Sequence, residues 1–149
     1  MKRLVLPLLA LSLAGCVSNP SSEKKTTNDP RECARNFTYD GSFLAGRTFK
    51  STAFVNKVNK ADAMKRATRY IAQNGFQISS TDEKLGIVSA SQGVSYGQGK
   101  TAPLNVSFEQ EKGGVQMDFS YSISGGVTSP VSAVQNFFCE VAEAVEGKK

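Results

Sequence analysis

The stretch Gly113-Gly114-Val115-Gln116-Met117-Asp118-Phe119-Ser120-Tyr121-Ser122-Ile123 decides the fold. After a double-glycine turn, Val115, Met117, Phe119, Tyr121 and Ile123 fall at alternate positions, with Gln116, Asp118, Ser120 and Ser122 between them. Successive side chains of an extended chain point to opposite faces, so this segment predicts a strand with one dry and one wet face. Upstream, Leu104, Val106 and Phe108 alternate with Asn105, Ser107 and Glu109 and lead into the same turn. Two further predicted strands, Phe76 to Thr81 and Leu85 to Ser91, are joined through Asp82-Glu83-Lys84. Consecutive hairpins that share one apolar face describe an antiparallel sheet covered on one side.

The cover is predicted to follow the sheet. Ser129 reads as a helix cap, with Pro130 at the first helical position. Val134, Phe137, Phe138, Val141, Ala142 and Val145 form an apolar stripe, Glu140, Glu143 and Glu146 face away from it, and Gly147 supplies the stop. At 100° per residue Cys139 lies about 130° from the centre of that stripe, so it is expected off the buried face and not as core filler. A second helix is predicted from Lys60 to Asn74, which contains no Gly or Pro. Asn59 is its N-cap, Asp62 sits at the third helical position, and Gly75 ends it. Met64, Ala67, Thr68 and Ile71 share one stripe of this helix, while Lys65, Arg66 and Arg69 lie elsewhere on its surface. Thr48 to Val55 predicts a first strand. Asp29 to Gly46 carries Phe37, Tyr39, Phe43 and Leu44 and an Asp40-Gly41 turn signal, and is expected to dock as ordered but irregular chain.

The expected fold class is therefore α+β, an antiparallel sheet packed on a long C-terminal helix in the order β-α-β-β-β-β-α. This order is similar to that of TBP-like (TATA-binding-protein-like) and helix-grip domains, in which a curved sheet wraps the last helix. Gly75-Phe76-Gln77-Ile78 and the Asp82 to Val88 segment also resemble a cadence found in accessory lipoproteins of the outer-membrane barrel-assembly machine. The resemblance is one of pattern, spans roughly residues 48 to 146 and contains no diagnostic motif. It implies a fold, and fold alone does not fix function.

The N-terminus speaks to location. Met1-Lys2-Arg3 is a positive start, Leu4 to Leu13 is apolar apart from Pro7 and Ser12, and two small residues follow. This is the pattern of a secretory signal. Its apolar run falls well short of the roughly twenty residues a membrane-spanning helix needs. Leu13-Ala14-Gly15-Cys16 resembles the lipobox of bacterial lipoproteins. That resemblance implies cleavage before Cys16 and acylation of its thiol. With Val17 and not Asp next, the sorting rule of enteric bacteria implies anchoring in the outer membrane, with the domain in the periplasm. The expected organisation is a signal peptide at 1–15, an acylated N-terminus and flexible tether at 16–30, and a single α+β domain at 31–149. Once Cys16 carries lipid, Cys33 and Cys139 remain as an even pair in an oxidising compartment, where a disulfide is expected.

Charge is unevenly spread. The chain carries a formal +5, which falls to +3 when Lys2 and Arg3 leave with the signal peptide. From Arg31 to Arg69 nine basic residues face three acids, and from Tyr70 onward five lysines face eight acids. The basic half suits a solvated surface of mixed charge better than a contact with an envelope protein or an anionic envelope polymer, for which Lys65, Arg66 and Arg69 are the candidate residues. Nucleic acid is not expected as a partner, because no aromatic residues interleave a basic stripe.

Catalytic chemistry finds little footing. The chain has no histidine, which excludes triads and metal sites built on that residue. With the cysteines committed, no thiolate nucleophile remains, and neither a metal nor a cofactor is expected. Asp82, Glu83, Glu109 and Glu111 lie in or beside turns, where carboxylates are usually solvated. Gly93 to Thr101 mimics a phosphate loop but has the wrong glycine spacing and opens no helix. What remains is a Gly-rich connection from Gln92 to Pro103, in which Tyr96 and Lys100 are candidate peptide or glycan contacts. The expected function is that of a non-enzymatic accessory or binding factor in cell-envelope assembly or maintenance. The alternative is a domain that holds an apolar or glycan ligand between sheet and last helix, in a cavity between Phe119 and Phe138.

Overall fold

The computed structural model describes the backbone of Glu23–Lys24 together with residues 28–95 and 99–148. The expected signal peptide, Cys16, most of the expected tether and Tyr96 lie outside the described residues. The fold is mixed α+β, an antiparallel sheet packed against a C-terminal helix. In chain order the elements are β1 (Glu23–Lys24), α1 (Glu32–Arg35), β2 (Thr38–Ser42), β3 (Gly46–Asn56), α2 (Lys60–Gln73), β4 (Gln77–Asp82), β5 (Ile87–Gly93), β6 (Thr101–Glu111), β7 (Gly114–Ile123) and α3 (Val131–Glu146). The strands lie side by side as β1-β2-β3-β7-β6-β5-β4, with every neighbouring pair antiparallel.

The strand that decides the fold sits at the centre of the sheet. β7 pairs with β3 from Arg47↔Ile123 to Asn56↔Gly114, and with β6 from Leu104↔Tyr121 to Glu111↔Gly114. Its alternation is realised: Val115, Met117, Phe119, Tyr121 and Ile123 are buried. Phe49, Ala53 and Val55 from β3 and Leu104, Val106 and Phe108 from β6 extend the same dry face. α3 lies on that face through Val134, Phe138, Val141 and Val145, and Phe119 stacks on Phe138 with ring centroids 5.0 Å apart. Each large side chain buried in this way contributes about 1.5–3 kcal/mol relative to exposure.

α2 forms as its caps require. The Asn59 side chain accepts a hydrogen bond from the Asp62 N–H at 2.9 Å, Ala63, Met64, Ala67 and Ile71 are buried, and Gly75 ends the helix in the left-handed region at φ +85°. Thr68 is only half-buried, at the margin of the stripe.

Several boundaries differ from expectation. The Asp29 to Gly46 segment is regular, containing α1 and β2. Cys33, Ala34 and Phe37 wedge under α3 as three buried anchors, a cluster too short to show any period. Asp40 and Gly41 belong to β2, and the turn falls on Phe43-Leu44-Ala45, where Phe43 and Leu44 are exposed and do not dock. Leu85 lies in the β4–β5 turn, 68% exposed, because the next residue, Gly86, must approach Phe108 closely. A Cβ there would stand 2.3 Å from the Phe108 carbonyl oxygen. Pro130, not Ser129, is the N-cap of α3, with no side-chain capping bond.

The disulfide between Cys33 and Cys139 is formed, with Cα atoms 5.3 Å apart and a sequence separation of 106. Its setting differs from expectation, for Cys139 is fully buried. α3 packs against α1 as well as against the sheet and α2, and the α1 contact has no signature in the helix periodicity.

Candidate functional site

One end of the sheet brings three loops together around a cleft. β2 and β3 meet there through the turn at residues 43–45, β5 and β6 through residues 94–100, and β7 runs into the 124–130 loop that leads to α3. These connections are fixed by backbone. The Val94 N–H donates to the Lys100 carbonyl at 3.1 Å, the Val127 N–H to Ser124 at 3.2 Å, and the Gly126 N–H to Phe43 at 2.8 Å. Gly125 is required here, because a Cβ would stand 2.0 Å from the Leu44 carbonyl oxygen.

Between these loops opens a cleft of about 590 Å³, lined by Gln92, Val94, Lys100, Tyr121, Val127 and Ser129 among others. That volume falls in the range of small-molecule sites. Tyr121 is a shared wall. Its ring packs on Phe49 at 6.1 Å and meets the edge of Phe76 at 6.0 Å, and burial pushes its phenol pKa upward, so the hydroxyl stays neutral. Beyond Tyr121 a smaller hollow of about 190 Å³ reaches toward α3 and shares Gln92, Tyr121 and Ser129 with the cleft. Phe76 and Phe137, stacked with centroids 5.0 Å apart, line it. The lining thus offers hydroxyl and amide groups beside aromatic faces, with one lysine at the mouth.

The expected site residues distribute unevenly. Lys100 is exposed at the mouth of the cleft, whereas Tyr96 and Cys16 lie outside the described residues. Lys65 and Arg69 are exposed on α2. Arg66 is committed to the fold, for its Nη1 donates to the Val145 carbonyl at 2.7 Å and ties α2 to the last turn of α3. Glu140 and Glu143 are drawn into contacts as well: Glu140 accepts from the Tyr70 hydroxyl at 3.1 Å and Glu143 pairs with Arg31 at 3.1 Å. Between Phe119 and Phe138, where a ligand cavity was expected, the rings stack.

Sequence reasoning located the loop from Gln92 onward but missed Tyr121 and Ser129 as walls. Tyr121 read as a core position, and its hydroxyl at the last turn of an apolar alternation was the available signal. Among the described residues there is no cluster of metal-ligating side chains, and no helix is long and apolar enough to cross a membrane.

No protein-family model and no curated protein matches the chain. Among solved structures it is similar to the crystal structure of Ara h 8.0201, at 12% identity and a TM-score of 0.42, over 68% of this chain and 95% of that one.

Proposed function

We propose that the protein is a lipoprotein anchored through Cys16 in the outer membrane, with its domain in the periplasm, acting as a non-enzymatic binding factor in envelope assembly or maintenance. The observation that carries this reading is the Cys33–Cys139 disulfide in a chain that begins with a signal-like segment ending in Leu13-Ala14-Gly15-Cys16. A buried structural disulfide belongs to an oxidising compartment. A chain bearing two or more acyl groups would stay anchored stably. The finer fold reading, a TBP-like or helix-grip arrangement, belongs to the same proposal and rests on the succession β3-α2-β4-β5-β6-β7-α3.

The binding role is placed in the Gln92–Tyr121–Ser129 cleft, since the middle of the sheet is filled by Phe119 and Phe138. The second reading, an apolar or glycan ligand between sheet and last helix, loses its expected place between the stacked rings of Phe119 and Phe138. It would need the smaller hollow lined by Phe76, Tyr121 and Phe137 instead. The aromatic hollow beside Tyr121 favours it. Two experiments test the proposal. Labelled palmitate should enter the parent chain and not Cys16→Ser, and the variant should leave the membrane fraction; equal fractionation overturns the anchor. Replacing residues 94–100 by a two-residue turn should remove crosslinked neighbours from intact cells. An unchanged set of neighbours overturns the cleft as binding site.

A further inference from the structure

The β2–β3 turn presents two apolar side chains to solvent, Phe43 at 48% and Leu44 at 86% exposure. Nothing about the turn is slack. The Phe43 carbonyl accepts from Gly126, and the Leu44 carbonyl is packed against Gly125, so the backbone is held while the side chains project. We propose that this tip is a second membrane contact, one that inserts into the surface of the phospholipid bilayer holding Cys16. The inference rests on the anchor reading.

The register of β1 supplies the argument. Glu23 pairs with Tyr39 and Lys24 with Thr38, antiparallel, so the N-terminal direction of β1 at Glu23 points along β2 to the end where the tip stands. Seven residue steps separate Cys16 from Glu23, at most about 25 Å of chain. Four strand residues, about 13 Å, separate the level of Glu23 from Phe43. So short a tether keeps that end close to the bilayer. Apolar side chains on a rigid turn lower their free energy by entering the headgroup–acyl boundary. The cleft lies at this same end, so its ligand would be met close to the membrane surface.

The chain contains no tryptophan, which makes a single-tryptophan probe clean. Leu44→Trp and Leu85→Trp place the probe on exposed leucines at opposite ends of the sheet. Both variants, acylated at Cys16, are reconstituted into phosphatidylethanolamine–phosphatidylglycerol vesicles with and without brominated acyl chains. The expected result is a blue shift and strong bromine quenching for Leu44→Trp, with neither for Leu85→Trp. Equal quenching of the two in a palmitate-labelled chain overturns the tip contact and leaves the anchor standing. A chain that takes up no palmitate overturns both. A blue shift that grows with protein concentration in the Cys16→Ser form of Leu44→Trp, without vesicles, means that a second copy covers the tip and overturns the bilayer as its occupant.

Discussion

The α1 clamp and the cleft end are built by opposite means. α1 is only four residues long, yet side chains hold it in every direction. Cys33 is bonded to Cys139, the Ser51 hydroxyl donates to the Cys33 carbonyl, and Gln135 donates to the Ala34 carbonyl at 3.0 Å. Arg31 adds contacts to Asp29, Glu143 and Asn136. The cleft end is held instead by backbone bonds and glycines, and its side chains are left to line open space. A segment too short to be stable as a helix needs tertiary cross-braces. A site that receives a ligand needs side chains that are not already engaged. The comparison assigns stability to one region and recognition to the other, and it can be broken by experiment.

The largest expected effect lies where the clamp meets the core. Phe138 stacks on Phe119 and touches Phe37 at 5.9 Å, so Phe138→Ala should cost about 3–5 kcal/mol in denaturant unfolding. Removing the disulfide as Cys33→Ser with Cys139→Ser should cost about 2–4 kcal/mol, read as a lower Tm under non-reducing conditions, where the parent keeps its bond. A double variant as stable as the parent would deny the clamp its role. Gln135→Leu removes one of two donors to the buried Ala34 carbonyl, the Phe37 N–H remaining at 3.4 Å, and should cost about 0.5–1.5 kcal/mol.

At the other end the expected effects on stability are small. Tyr121→Phe and Lys100→Ala should stay within about 0.5 kcal/mol of the parent while weakening capture of the ligand or partner. A large loss of stability from either would merge the two regions. The smallest effect is one of pH. Hydrogen bonding to Arg31 holds the Asp29 carboxyl below its ordinary pKa of 3.8. A depressed carboxylate contributes stability above its unfolded-state value and loses it as the pH falls through the folded value. The Tm difference between the parent and Asp29→Asn should therefore be present at neutral pH and fade in acid, below about pH 4.

Much of the fold was legible because it rests on local rules. Alternation placed β7 and β6, a capping side chain and a glycine bounded α2, and the expectation that Cys16 carries lipid left Cys33 and Cys139 to pair. What was missed rests on contacts between distant segments. α1 offers only Cys33, Ala34 and Phe37 as anchors, and Leu85 looked like strand until Gly86 met Phe108. The cleft was half legible: its loop shows as a glycine-rich break, but Gln92, Tyr121 and Ser129 come from three elements that only folding joins.

By itself the sequence determined that an antiparallel sheet carries one dry face, that two helices are made to cover it and, with Cys16 expected to carry lipid, that Cys33 and Cys139 are left to pair. Those outcomes follow from side-chain period, capping and chemistry, which act within a few residues or by elimination. Only the tertiary structure decided that Cys139 is buried under α1, that Arg66 caps the far end of α3, and that three loops leave a cleft at one end of the sheet. Burial on a second face, like a cavity between loops, is a property of what packs against a residue, and no periodicity along the chain encodes it.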